Sequence, residues 1–139
     1  MELLNFIHDD GGRNQYFKGT AGDCVTRSIA IASGMDYKQV YDLIFRTMGE
    51  SPRNGVWTKK PKFKRMMQQI GFTWTATSGI GSHQAVHLVN GELPDGRLVI
   101  AMAKHYTAVV DNTVHDIFDP RTNDFGDCRK IYGYWKFNG

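Results

Sequence analysis

No apolar run in this chain approaches the ~20 residues that a membrane-spanning helix requires, so neither a bilayer crossing nor a membrane partner is expected. The N-terminal MELLNFIHDDGGR lacks a basic n-region and a long apolar h-region. No secretory signal is therefore expected, and a cytoplasmic location is the reading that follows. Cysteine is scarce: Cys24 and Cys128 are the only two, and in a cytoplasmic chain they are expected to be reduced rather than bridged. Charge of one sign is also scarce. Seventeen basic and 14 acidic side chains leave a net +3, too little by itself to mark a nucleic-acid binder. Repeats, low-complexity tracts and linker-like stretches are missing too, so residues 1–139 read as a single domain.

What is present is an ordinary globular composition. Hydrophobic residues make up 41% and charged residues 22%, enough to build and solvate a core. The first 22 residues are glycine-rich and polar apart from Leu3, Leu4, Phe6 and Ile7, which predicts a short strand or arm followed by a loop. Asp23 is a capping-type residue, Val25, Ile29 and Ala32 fall at helical spacing, and Gly34 ends the run, so a helix is expected over 24–33. Asp36 introduces a second helix from Tyr37 to about Met48, and Pro61 opens a third, with Phe63, Met66, Met67 and Ile70 on one face and Gly71 after it. From residue 72 the period becomes strand-like. Strands are expected at 72–76, 85–89 and 98–103, a hairpin at 105–118 turning at Asp111-Asn112, and a last strand at 131–137. Helices first and strands second indicate an α+β fold, with N-terminal helices packed on a C-terminal antiparallel sheet.

Two residues carry the chemistry. A thiol becomes a strong nucleophile as a thiolate, and a helix N-terminus favours that form. Cys24 stands at such a start, although the Asp23 carboxylate opposes thiolate formation unless capping occupies it. His105 opens a strand that follows a buried one, where its ring can reach a helix packed on the sheet. A histidine base needs its second ring nitrogen, here expected to be Nδ1–H, held by an acceptor. The returning strand offers Asp116 and Asp119. A two-residue turn at Asp111-Asn112 puts Asp116 diagonal to His105 on the same face; a three-residue turn puts Asp119 directly opposite.

The segments GDCVTRSIAIASG, HYTAVVDNTVHDIFDP and YGYW resemble a group of small uncharacterised proteins of phages and mobile elements. More broadly, they resemble the papain-like cysteine peptidase superfamily over roughly residues 19–137. The resemblance implies that Cys24 opens the long helix as nucleophile and that His105 is the base. It also implies an acid just before a proline, which favours Asp119 of Asp119-Pro120 over Asp116. One position departs from the pattern. Lys18 stands where the family's oxyanion-hole glutamine usually lies, so Gln15 or Asn14, brought in by a loop insertion, is expected to supply that donor; otherwise the hole uses the Cys24 backbone N–H and another donor. The implied activity is a cysteine hydrolase of the peptidase or isopeptidase kind, acting on a protein or peptide substrate without a cofactor. The alternatives are acyl or glutaminyl transfer by the same triad, and an inactive copy of the fold that binds a host factor.

Other features point to bland roles. His83 and His87 are four apart, but SGIGSHQAVHLV reads as loop then strand, which spoils metal geometry, and His115 and Cys128 complete no ligand set, so no metal site is expected. The basic run Lys59, Lys60, Lys62, Lys64 and Arg65 reads as the solvated face of the third helix and its approach. A nucleic-acid or acidic-partner surface is its alternative, with Trp57 and Trp74 able to stack on bases, although tryptophans beside an amphipathic helix are expected in the core. Substrate specificity is expected from the loops 50–60 and 77–84.

Overall fold

The structure, a computed structural model, describes residues 2–77 and 85–139. Among them are three α-helices and a six-stranded sheet. Helix α1 spans Cys24–Ser33, α2 Tyr37–Met48 and α3 Pro61–Ile70. The strands are β1 Asn5–His8, β2 Phe72–Ala76, β3 Arg97–Met102, β4 His105–Val110, β5 Thr113–Asp116 and β6 Ile131–Phe137. No helix among the described residues is long and apolar enough to cross a membrane.

Local chemistry sets the helix ends. Gly34 and Gly49 close α1 and α2 in the left-handed conformation, at φ 76° and 77°, where a side chain would be strained. Asp36 caps α2 by accepting from the Lys38 and Gln39 amides. Pro61 starts α3, where its missing N–H costs nothing.

The sheet order is β1-β5-β4-β3-β6-β2. Strands β2 to β6 pair antiparallel, whereas β1 lies parallel to β5 at the edge, so the sheet is mixed rather than wholly antiparallel as expected. Only four residues long and mostly exposed, β1 carries little hydrophobic alternation that could announce its pairing. The expected strand at 85–89 is absent. That segment touches its neighbours through single bridges, Leu3 with Val89 and His87 with Lys130. The expected loop at 78–84 lies outside the described residues.

Alternation along β3 divides the core into two layers. Val99 joins the cluster formed with the three helices, including Ile29, Ile44 and Phe63. Leu98, Ile100 and Met102 face the opposite layer, closed by Leu4, Leu88 and Leu93. Each fully buried side chain of this size contributes ~1.5–3 kcal/mol, so the sheet is anchored on both faces. Strand β4, the most heavily contacted by α1, therefore holds its first residue, His105, in a fixed relation to the start of that helix.

Candidate active site

Cys24 is the first residue of α1, but Asp23 does not cap it. The Asp23 carboxylate turns inward instead. It accepts from Arg27 Nε at 2.8 Å, from Arg13 Nη1 at 3.1 Å and from the Tyr37 hydroxyl. Two guanidinium groups thus offset the charge that would have opposed a thiolate, and the first turn of α1 keeps its amides clear of any side-chain acceptor from the cap.

His105 meets Cys24 at the entry to β4. The Cys24 thiol and the His105 ring face the same cleft closely enough that each shifts the other's protonation, and the Tyr106 backbone N–H donates to Cys24 Sγ at 3.4 Å. On its other side, His105 Nε2 lies 2.7 Å from Asp116 Oδ2. The carboxylate therefore holds Nε2, not the expected Nδ1, which leaves Nδ1 for the thiol. Burial pushes the Cys24 thiol up, and the hydrogen bonds from His105 and Tyr106, with the positive charges of His105 and Arg27, more than reverse it, so its pKa falls below the ordinary value. Burial opposes a charged imidazole too. The hydrogen bonds and charges of Asp116 and Cys24 outweigh that, and the His105 pKa rises to about 9. Both shifts favour a thiolate–imidazolium pair near neutral pH.

Asp119 borders a small hollow with His105 but makes no bond to it. Its carboxylate is bonded to the Arg121 guanidinium at 2.8 and 2.7 Å on the surface, and nothing joins it to His105. The hairpin register explains the correction. Val110 pairs with Thr113 across a two-residue turn, with Asp111 and Asn112 at φ 47° and 66°, and the continued register sets Asp116 diagonal to His105. Asp119-Pro120 is the turn that follows the strand, where Asp119 also accepts from the Arg121 amide.

Asp116 is 2% exposed, and Arg27 Nη1 reaches its second oxygen at 3.1 Å. A buried line of charge thus runs from Arg13 through Asp23, Arg27 and Asp116 to His105. Sequence reasoning missed Arg27 and Arg13. The visible signal was Arg27 itself, four residues after Asp23 and thus one helical turn on.

Compared with models of known families, with curated proteins and with solved structures, the chain matches none.

A cleft of about 600 Å³ opens beside Cys24. Trp74, Tyr132 and Trp135 form much of its apolar lining, with Trp74 and Trp135 in ring contact at 5.1 Å. Gln15 is not part of it. It is exposed in the one-turn helix Arg13–Gln15, and Lys18 borders a separate hollow with Phe17 and Tyr41. Asn14 is likewise exposed and does not line the cleft.

The basic run is not simply a solvated face. Lys59 and Lys64 line the cleft, Lys60 lies over the Trp57 ring at 5.1 Å, and Lys62 donates to the Met48 carbonyl at the end of α2. Trp57 and Trp74 are 66% and 40% exposed rather than core residues. Among the described residues no three His, Cys, Asp or Glu side chains converge as a metal site; His87 pairs with Glu92, and His83 lies outside the described residues.

Proposed function

We propose that this chain is a cysteine hydrolase with a papain-like core, in which Cys24 attacks a carbonyl, His105 moves the proton and Asp116 orients His105. The observation that carries the reading is geometric: the Tyr106 amide at the start of β4 donates to Cys24 Sγ, the preceding residue His105 lines the same open cleft, and His105 Nε2 meets Asp116. A hydrolase needs these parts in this order.

In the proposed reaction the Cys24 thiolate adds to the carbonyl carbon of an amide, isopeptide or thioester. The carbonyl π pair moves to oxygen. The oxyanion collapses, the bond to the leaving group breaks, and the proton on His105 Nδ1 passes to that group. Cys24 is then an acyl thioester. Neutral His105 takes a proton from water as the water oxygen attacks. Collapse of the second oxyanion releases the acid and restores the thiolate–imidazolium pair. Asp116, held by Arg27, orients His105 throughout and stabilises the imidazolium whenever the ring carries the proton. The Cys24 backbone N–H at the start of α1 is the oxyanion donor favoured by this placement.

A second reading, an inactive copy of the fold that binds a host factor, is favoured by a different observation. No Asn or Gln lines the cleft among the described residues. Iodoacetamide labelling separates the two. With a working pair, Cys24 is alkylated near neutral pH well before Cys128, His105→Ala slows that reaction, and a peptide vinyl sulfone also labels Cys24. Equal, slow labelling of both thiols would sink the hydrolase reading.

A further inference from the structure

The cleft beside Cys24 is one-sided in charge. Lys59, Lys64 and Lys104 stand on its wall, and no Asp or Glu lines it among the described residues. Lys59 leads into α3, Lys64 lies on its exposed face, and Lys104 occupies the two-residue turn between β3 and β4 at φ 56°. Two independent parts of the fold therefore place cations at the same opening. The interior is the opposite: Trp74, Trp135 and Val56 offer ring-sized apolar surface. Such a wall raises the local concentration of anions, and the aromatic faces favour a planar or large aliphatic group.

We propose that the substrate is an anionic acyl compound, such as an acidic peptide segment, whose ring-sized apolar group enters the cleft while a neighbouring carboxylate meets Lys59 and Lys64. This inference rests on the hydrolase reading of Cys24 and adds to it the class of molecule that the cleft admits. The lysines act at the stage of capture. They lie outside the buried charge line of Asp23, Arg27 and Asp116, so their effect is on which molecule reaches Cys24.

Three alkylating probes test it: iodoacetamide, N-benzyl iodoacetamide, and the same benzyl compound with a para-carboxylate. In each, the Cys24 thiolate attacks the methylene carbon, a C–S bond forms, the C–I bond breaks and iodide leaves with the bonding pair. The reacting group is identical, so rate ratios report the cleft. The benzyl probe is expected to outrun iodoacetamide, and the carboxybenzyl probe to outrun the benzyl probe by about tenfold at low salt. That last ratio should shrink as salt rises and fall toward one in the Lys59→Gln, Lys64→Gln double variant. Trp74→Ala should lower the benzyl-to-iodoacetamide ratio. The Lys18→Gln, Lys38→Gln double variant, which removes two lysines that do not line the cleft, serves as the control for net charge and should keep the carboxybenzyl ratio. A carboxybenzyl ratio near one in the unaltered protein, or a loss as large in the Lys18→Gln, Lys38→Gln variant as in the cleft variant, would overturn the inference while leaving the hydrolase reading intact. A Cys24 that reacts with none of the probes would overturn both.

Discussion

His105 and Asp116 stand on the diagonal of a β-hairpin, with Nε2 2.7 Å from Oδ2, and the pair is closed from behind by Arg27 on the other carboxylate oxygen. The arrangement resolves a conflict inherent in a buried carboxylate. Burial alone raises the pKa of Asp116, but the hydrogen bond and charge of His105 reverse it, and the group is held below its ordinary value. A charged acceptor is thus maintained against His105 inside the protein.

Asp116→Asn is therefore expected to weaken the imidazolium and to lower any hydrolytic rate by on the order of 10²-fold. Asp119→Ala should leave the rate near that of the unaltered protein, because its carboxylate bonds Arg121 at the surface. The measurement is hydrolysis together with the pH dependence of Cys24 alkylation in both variants. A larger effect in Asp119→Ala would reverse the assignment.

The pH dependence has a definite sign. The Cys24 pKa is lowered, so thiolate is gained at a pH below the ordinary thiol range. The His105 pKa is raised to about 9, so the imidazolium is present below that value and lost as pH rises through it. Hydrolysis requires both and should follow a bell whose falling limb lies near pH 9. Alkylation needs the thiolate but no proton donor, so it should show no matching decline. These limbs belong to the coupled pair rather than to either residue alone. In Asp116→Asn the falling limb should move to lower pH, since the imidazolium loses its carboxylate. A hydrolysis profile that keeps rising above pH 9 would remove His105 as the acid.

Arg27 has a separate test in stability. It is 5% exposed and bridges Asp23 and Asp116 with different nitrogens. Arg27→Met takes one cation from each of two buried carboxylates, leaving Asp23 with Arg13 and Asp116 with His105, and is expected to cost ~3 kcal/mol, the low end of the range for breaking a buried pair from one side. Arg27→Lys keeps the charge but lacks the fork that reaches both acids, so a smaller loss of ~1–3 kcal/mol is expected. Urea unfolding of the two variants measures this. A loss under ~0.5 kcal/mol in Arg27→Met, no more than an ordinary surface substitution causes, would show that the ion pairs do not hold the fold.

Much of this architecture was legible because local signals and tertiary packing agree. Helix α1 starts at Cys24 and stops before Gly34 as the spacing of Val25, Ile29 and Ala32 demands. The last strand runs over 131–137, as its aromatic pattern suggested. What escaped depends on partners distant in sequence. Asp23 has the character of a cap, yet two arginines and a tyrosine compete for it, and one of them, Arg13, lies in a segment that reads as loop. The choice between Asp116 and Asp119 turned on a single residue of hairpin register. The Asp-Pro pattern favoured the acid that the turn uses for itself. Likewise, Lys59 and Lys64 have the periodicity of a solvated helix face, and only the position of α3 beside β2 brings them to the cleft.

The cleft wall itself depends on a glycine. Gly133 lies in β6 between Ala76 of β2 and Ala101 of β3, and the Trp74 ring packs directly over its α-carbon. A Cβ there would collide with the far edge of that ring and would come within 2.7 Å of the Thr75 carbonyl oxygen. The obstacle on one side is backbone, which cannot swing away, so relief must come from Trp74 leaving its place against Trp135. Gly133→Ala is accordingly expected to destabilise the protein by ~1–3 kcal/mol, the usual cost of overpacking. It should also disturb reagent selectivity at Cys24, since Trp74 lines the cleft while Cys24, His105 and Asp116 lie outside the collision. Denaturation and tryptophan fluorescence measure the first effect. The ratio of benzyl to unsubstituted iodoacetamide rates measures the second and is expected to fall, as in Trp74→Ala. If Gly133→Ala keeps both its stability and that ratio, Trp74 is not seated over β6 and does not shape the cleft.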